Sequence, residues 1–176
     1  MRAPWRLSPA STGWLVRTSR WNGQIWPPWV CPESCSATPA AAAAVTWLGW
    51  QPLVNEHRTI GDGLVVAGVD DPTGAPDLAA ALAGADLAKP VLLLAHQPSQ
   101  VTAAAAAGVA LQLSGHTHGG QIWPFHFLVR TNQPVLAGLS RHGARTQLYV
   151  SRGTGFWGPP LRVFAPSEIT VLTLGA

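Results

Sequence analysis

Val91-Leu92-Leu93-Leu94-Ala95-His96 and Leu111-Gln112-Leu113-Ser114-Gly115-His116-Thr117-His118 decide how this chain folds. The first begins as a short apolar run, the pattern of a strand buried on both faces, and the second closes a third strand, Val109-Ala110-Leu111-Gln112-Leu113. Each ends on histidine. Between them Ser99–Gly108 is alanine-rich and reads as a helix stopped by Gly108. Upstream, Leu64-Val65-Val66-Ala67-Gly68-Val69 is a further buried strand ending at Asp70-Asp71-Pro72. Pro76–Leu87 then reads as a helix with Asp77 in its first turn, and Ala41–Trp50 as another. Downstream a Gly/Pro/aromatic stretch runs to about Leu139, followed by strands at Gln147–Ser151 and Glu168–Leu174.

Strands alternating with short helices predict an α/β layer whose sheet is at least partly parallel. Hairpin-like turns near the end make the sheet mixed. In open α/β sheets the ligand site lies outside the carboxyl ends of the strands. Here the ends of two consecutive strands carry His96, then His116 and His118. The last two flank Thr117, with Gly115, Gly119 and Gly120 around them, so the backbone can turn freely and aim both rings at one spot. Imidazole is the commonest metal ligand, and Zn, Mn, Fe or Ni suits it. An isolated His-x-His pair is more often a surface turn. The preceding strands, the glycines and His96 favour a metal site.

Composition bounds the alternatives. Charged residues are 11% of the 176, well under the usual ~25%. The net charge of +3 comes from a shortage of acids. Lys89 is the sole lysine and the arginines are scattered, which argues against a nucleic-acid partner. No apolar run of about 18 residues escapes a Pro, Gly or polar break, so no membrane segment is expected. Pro4, Pro9 and Arg17 interrupt any signal-peptide core. Cys31 and Cys35 are too few for a disulfide scaffold and lack a second pair for zinc. Before residue 40 the text is dominated by Trp, Arg, Pro, Ser and Cys, with neither helical nor strand periodicity. That segment, 1–40, is expected to be disordered, an interfacial Trp-rich arm, or a translation in a shifted frame, the last being favoured; the packed domain is 41–176.

Leu93-Leu94-Ala95-His96-Gln97-Pro98 with Leu111 to Gln121 resembles the C-terminal half of a calcineurin-like metallophosphoesterase, in the bacterial branch whose members are often membrane-anchored. Tyr149 to Gly155 and Gly158 to Arg162 are similar to that branch's closing loop and strand. The resemblance implies the C-terminal half of a four-layer α/β/β/α sandwich with mixed sheets. It implies a phosphoester hydrolase using two divalent ions, commonly Mn, Fe, Zn or Ni, bridged by an aspartate. His96 and His116 match ligands of the second ion and His118 a ligand of the first. Arg152 and Arg162 are candidates for pairing with a substrate phosphate through their bidentate forks, or are solvated charges.

The family's Asp-x-His, Gly-Asp-x-x-Asp and Gly-Asn-His-Asp/Glu motifs are missing from this sequence. With them go the bridging carboxylate and the acid/base histidine, so no residue here is assigned a catalytic role. Asp70 or Asp71, ending a strand on the site edge, could lie near the histidines; a turn before Pro72 is the plainer role. Gly61-Asp62-Gly63 is a turn, His57, His126 and His142 are placed in turns or loops, and Trp123 and Phe125 could wall the site. Trp157 could cap a substrate, though packing within its loop is the plainer role. Two functions stay open. One is a phosphoesterase acting on a phosphoester small molecule, a nucleotide or a lipid, incomplete and weakly active or inactive as this chain. The other is a truncated, non-catalytic fragment that binds one metal ion or none. A cytoplasmic or membrane-peripheral location is expected over secretion.

Overall fold

The computed structural model describes residues 15–20 and 51–175. Its strands, in chain order, are Leu15–Arg20 (β1), Glu56–Ile60 (β2), Leu64–Gly68 (β3), Val91–Leu94 (β4), Leu111–Ser114 (β5), Gly138–His142 (β6), Thr146–Val150 (β7) and Thr170–Gly175 (β8). Three short α-helices, Leu78–Leu82 (α1), Val101–Ala106 (α2) and His126–Asn132 (α3), lie between them. Six strands form one sheet in the order β2-β3-β4-β5-β7-β6. Its centre, β3-β4-β5-β7, is parallel, and the edge strands β2 and β6 run antiparallel. The sheet is therefore mixed, as the sequence predicts.

The apolar runs place residues alternately on the two faces. Val65, Ala67, Val91 and Leu93 point to the helical side, where Ala104 and Val109 complete a buried cluster and Leu78 and Leu82 pack against it. Leu92, Leu111, Leu113 and Tyr149 face the other way, onto Leu172 and Leu174 of β8. Burying each such side chain is worth about 1.5–3 kcal/mol, which is why these runs tolerate no polar insertions. The exception is Gln112, fully buried, whose Nε2 donates to Gln97 O and Ser114 Oγ.

Several elements differ from expectation. Asp77 is the N-cap of α1, its carboxylate accepting from Ala80 N at 2.8 Å, and the helix is shorter than predicted. Gly84, at φ +79°, follows its end. β2, a strand that Glu56, His57 and Arg58 did not advertise, turns at Gly61-Asp62-Gly63 into β3. α3 lies in the Gly/Pro/aromatic stretch and β6 starts at its end, where no element was expected. The final strand leaves the main sheet and pairs antiparallel with β1 in a separate two-stranded sheet. β1 falls in the segment expected to hold no packed element. The rest of that segment, with Cys31 and Cys35, and the predicted helix Ala41–Trp50 lie outside the described residues. Among the described residues no helix is long and apolar enough to cross a membrane.

Candidate metal centre

Adjacent parallel strands create the site. β4 and β5 stay hydrogen-bonded past their ends, through Ala95 N to Leu113 O (3.1 Å) and Gly115 N to His96 O (3.0 Å). Ser114 Oγ adds a bond to Ala95 O at 2.7 Å. This ladder carries His96 and His116 out side by side. Their rings meet edge-on, with centroids 5.0 Å apart, and His116 Nδ1 lies 3.2 Å from His96 Nε2.

The loop that follows is tightly specified. His116 and His118 adopt φ of +66° and +50°, the left-handed region that disfavours side chains. Such positions cost of the order of 1–3 kcal/mol each and persist only when their surroundings hold them. Thr117 Oγ1, between them, donates to Leu136 O at 2.6 Å. Gly120 (φ +84°) lets the loop touch α3: a Cβ there would stand 2.3 Å from His126 Cβ. Buried Gln121 donates from Nε2 to Trp157 O (2.6 Å) and Pro159 O (3.2 Å), and accepts from Trp157 N.

Arg162 locks the other side. Its guanidinium donates to the carbonyls of Gly155, His118, Ala165 and Arg152, and its Nη2 lies 3.1 Å from His118 Nδ1. Arg152 is paired with Glu168 (3.5 Å), whose carboxylate also accepts from Arg152 N and Tyr149 Oη. The two candidate phosphate ligands thus have distinct settings: Arg162 spans four carbonyls, while Arg152 lines an open cleft of about 630 Å³ with Arg130, His126, Trp123 and Phe164.

His96, His116 and His118 share a larger cleft of about 1160 Å³, walled by Phe125, Leu128 and Trp157. Phe125 and Trp157 stack, 6.5 Å apart and 12° from parallel. Trp157 is 61% exposed, a wall of the cleft rather than core, while Trp123 lines the other cleft. The two aspartates separate cleanly. Asp70 is a turn residue, accepting from Asp71 N and Ala75 N. Asp71 is buried, accepts from Thr73 N (2.9 Å) and Oγ1 (2.7 Å), and takes a longer bond from Gln97 Nε2 (3.4 Å). Burial pushes its carboxyl up, but Thr73, the His96 charge and Gln97 outweigh that and hold it below the ordinary carboxylate value. His57 sits on edge strand β2 with Nδ1 donating to Ala81 O, and His142 meets Ser140 Oγ on β6. His126 begins α3.

Both loop histidines favour the neutral ring. Burial lowers the pKa of His116, and the neighbouring His96 lowers it further; for His118 burial acts first and the Arg162 charge second. Neutral imidazole is the form that binds metal. The 3.2 Å between His96 Nε2 and His116 Nδ1 also fits one shared ion: bonds of about 2.0–2.1 Å place neighbouring donors roughly 2.9–3.4 Å apart. His118 is in the same cleft but is held by Arg162. No group of three or more His, Cys, Asp or Glu among the described residues is arranged around one point as a metal cage. The donors fit one ion at the His96–His116 pair and do not fit two.

Comparison with known proteins supplies the family. An uncharacterized metallophosphoesterase of Campylobacter jejuni is 48% identical over 128 residues, covering 69% of this chain and 34% of that protein. The chain resembles the calcineurin-like metallophosphoesterases. A metallophosphoesterase of Bacillus subtilis is 39% identical over 68% of the chain and 45% of its own length. A transmembrane protein with a metallophosphoesterase domain from Bos taurus is 40% identical over 73% and 33%. The chain thus spans about a third to a half of these metallophosphoesterases. No family model matches it, and no solved structure does. Metallophosphoesterases in general use divalent metal ions, the class of ligand that the histidine pair suits.

Proposed function

We propose that this chain carries the histidine-bearing, C-terminal half of a phosphoester hydrolase's metal centre, incomplete as it stands. His96 and His116 hold one divalent ion (Mn, Fe, Zn or Ni), and His118 is the third candidate ligand. The observation that carries this reading is the 3.2 Å approach of two ring nitrogens at the carboxyl ends of adjacent parallel strands. A divalent ion there would supply Lewis-acid polarisation of a phosphoryl oxygen. Around it Asp71 sets the local charge, and Arg162 orients His118 and the closing loop. Arg152, in the neighbouring cleft, is the better placed of the two arginines for a substrate phosphate, because Arg162 reaches one only by releasing its carbonyls. The substrate class is a small phosphoester, of a nucleotide or a lipid. The domain begins near residue 41, with 1–40 outside it and β1 an upstream addition. β8, lying against the face opposite the helices, supports a second sheet and hence a four-layer α/β/β/α arrangement.

Incompleteness has a direct chemical consequence. The carboxylate beside the pair, Asp71, has both oxygens engaged by Thr73 and Gln97, so nothing there bridges a second ion. Removing one preorganised charge-stabilising group typically costs a factor of about 100–1,000, and several are missing together. The purified chain should therefore hydrolyse p-nitrophenyl phosphate or its bis-ester at background rates in Mn, Zn or Ni, while retaining metal after dialysis. The retained metal should fall away in a His96→Ala/His116→Ala double variant, and fall in His116→Ala/His118→Ala. Equal metal content in parent and variants would sink the site. Robust turnover abolished by His118→Ala would sink the incompleteness.

A further inference from the structure

α3 stands between the two clefts. Leu128, Val129, Thr131 and Asn132 line the histidine cleft, while His126 and Arg130 line the other. Gly120 and Gln133 line both and so mark where the clefts meet. Yet α3 buries none of its residues, whereas α1 buries Ala81 and α2 buries Val101 and Ala104. Among the described residues, no apolar cluster of the core includes a side chain of α3. Without such a face its seven residues are too few to hold a helix, since isolated helices under about 12–15 residues are marginal. Its ends hold it instead. At the start, His126 is seated on Gly120. Just past the end, Gln133 is buried, its Oε1 accepting from Ser99 N at 3.1 Å and its Nε2 donating to Gln97 Oε1 at 3.3 Å.

We propose that α3 is a gate: released at Gln133, it unfolds locally while the sheet stays folded, and its opening joins the two clefts into one. Local opening takes the least free energy where few apolar contacts oppose it. The boundary is closed by the side chain of one residue, whereas β4 and β5 are joined by backbone bonds and by buried Val91, Leu93 and Leu111. With α3 open, one ligand can occupy both clefts, one end at His96 and His116 and the other beside Arg130. The inference stands apart from the metal reading, because its test is made on the metal-free chain.

Residue-resolved hydrogen exchange of the full chain, followed against urea, is that test. Val129 N and Gln133 N are bonded to Phe125 O and Val129 O, and Ala95 N and Ser151 N to Leu113 O and Ser114 O of the sheet. The two α3 amides should open roughly a hundredfold more often than the two sheet amides. Low urea should leave their exchange unchanged, because a local opening exposes little surface. Ser99 N, whose acceptor is Gln133, should exchange along with them and reports the boundary itself. Gln133→Leu keeps the bulk, removes both side-chain bonds and should speed Val129 N about tenfold. Thr131 is exposed, so Thr131→Gly and Thr131→Ala form a pair that leaves the core alone, and α3 should open about fivefold more often with glycine. If Val129 and Gln133 share the rate and urea dependence of Ala95, α3 opens only with the whole fold and the proposal is wrong. If they open locally while Ser99 N stays as protected as Ala95 N, the boundary holds and the clefts stay separate, which also overturns it. An unchanged rate in Gln133→Leu would deny the latch, and equal rates in the glycine and alanine variants would deny that the helix unfolds.

Discussion

Gly120→Ala probes whether the histidine loop is seated on α3. The new methyl meets two obstacles. The first is backbone: φ at Gly120 is +84°, and an L side chain there costs roughly 1–2 kcal/mol. The second is contact: the Cβ would stand 2.3 Å from His126 Cβ and 2.7 Å from its Cα, both far inside any real separation. These are not the far ends of flexible side chains, so helix and loop must part, an overpacking cost of about 1–3 kcal/mol. The sum is about 2–5 kcal/mol, a large part of a typical stability of 5–15 kcal/mol. Gly108→Ala supplies the control, because Gly108 has φ +77° with nothing within 4 Å of the added Cβ. It should lose only the backbone part. Urea denaturation of both variants separates the two contributions. If Gly120→Ala is no more destabilising than Gly108→Ala, the loop is not seated on α3 as described.

Arg162→Lys should destabilise by about 2–4 kcal/mol in the same assay, since an ammonium cannot span four carbonyls and charged hydrogen bonds are worth about 1.5–3 kcal/mol each; a neutral result would deny the clamp. Tyr149 is the sole tyrosine, so ultraviolet titration of phenolate reads it alone. Burial first, then Glu168, raise its pKa above the ordinary 10.0 while the Thr170 hydroxyl lowers it. Glu168→Gln should therefore bring the transition down and Thr170→Ala push it up. The unfolded chain ionises first, so this residue's contribution to stability is complete below pH 10.0 and is lost as pH rises through the folded value. A Tyr149 that titrates at the ordinary value would refute its burial against Glu168.

The parallel centre of the sheet was legible because Leu64–Gly68 and Val91–Leu94 are apolar on both faces, while Leu111–Ser114 alternates, with Leu111 and Leu113 on one face and Gln112 and Ser114 on the other. Edge strands left weaker marks. Glu56–Ile60 and Gly138–His142 have one side toward solvent and carry Arg58, Arg141 and His142, so their pattern resembles a loop's. The helix α3 was hidden for a related reason. Phe127 and Leu128 face water and Val129 the histidine cleft, so no core-facing period announces it. At the site, the three histidines could be seen because strand ends carry them. Their partners could not. Gln97, Gln121, Gln133 and Asp71 act through side-chain geometry set by residues 15 to 38 positions away, as in Gln121 to Pro159 or Gln112 to Gln97. Local sequence has no signal for that.

The strained loop bears on how much of the centre this half can form alone. Two left-handed histidines in three residues represent roughly 2–6 kcal/mol of backbone cost, which something must hold in place. Among the described residues, contacts that do so are Leu136 O on Thr117, His126 under Gly120, Trp157 and Pro159 on Gln121, and Arg162 across His118. These contacts seat the loop whose first histidine approaches His96 to 3.2 Å. On the incomplete centre proposed above, what this chain lacks is anionic ligands for a second ion, and not the shape of its histidine loop.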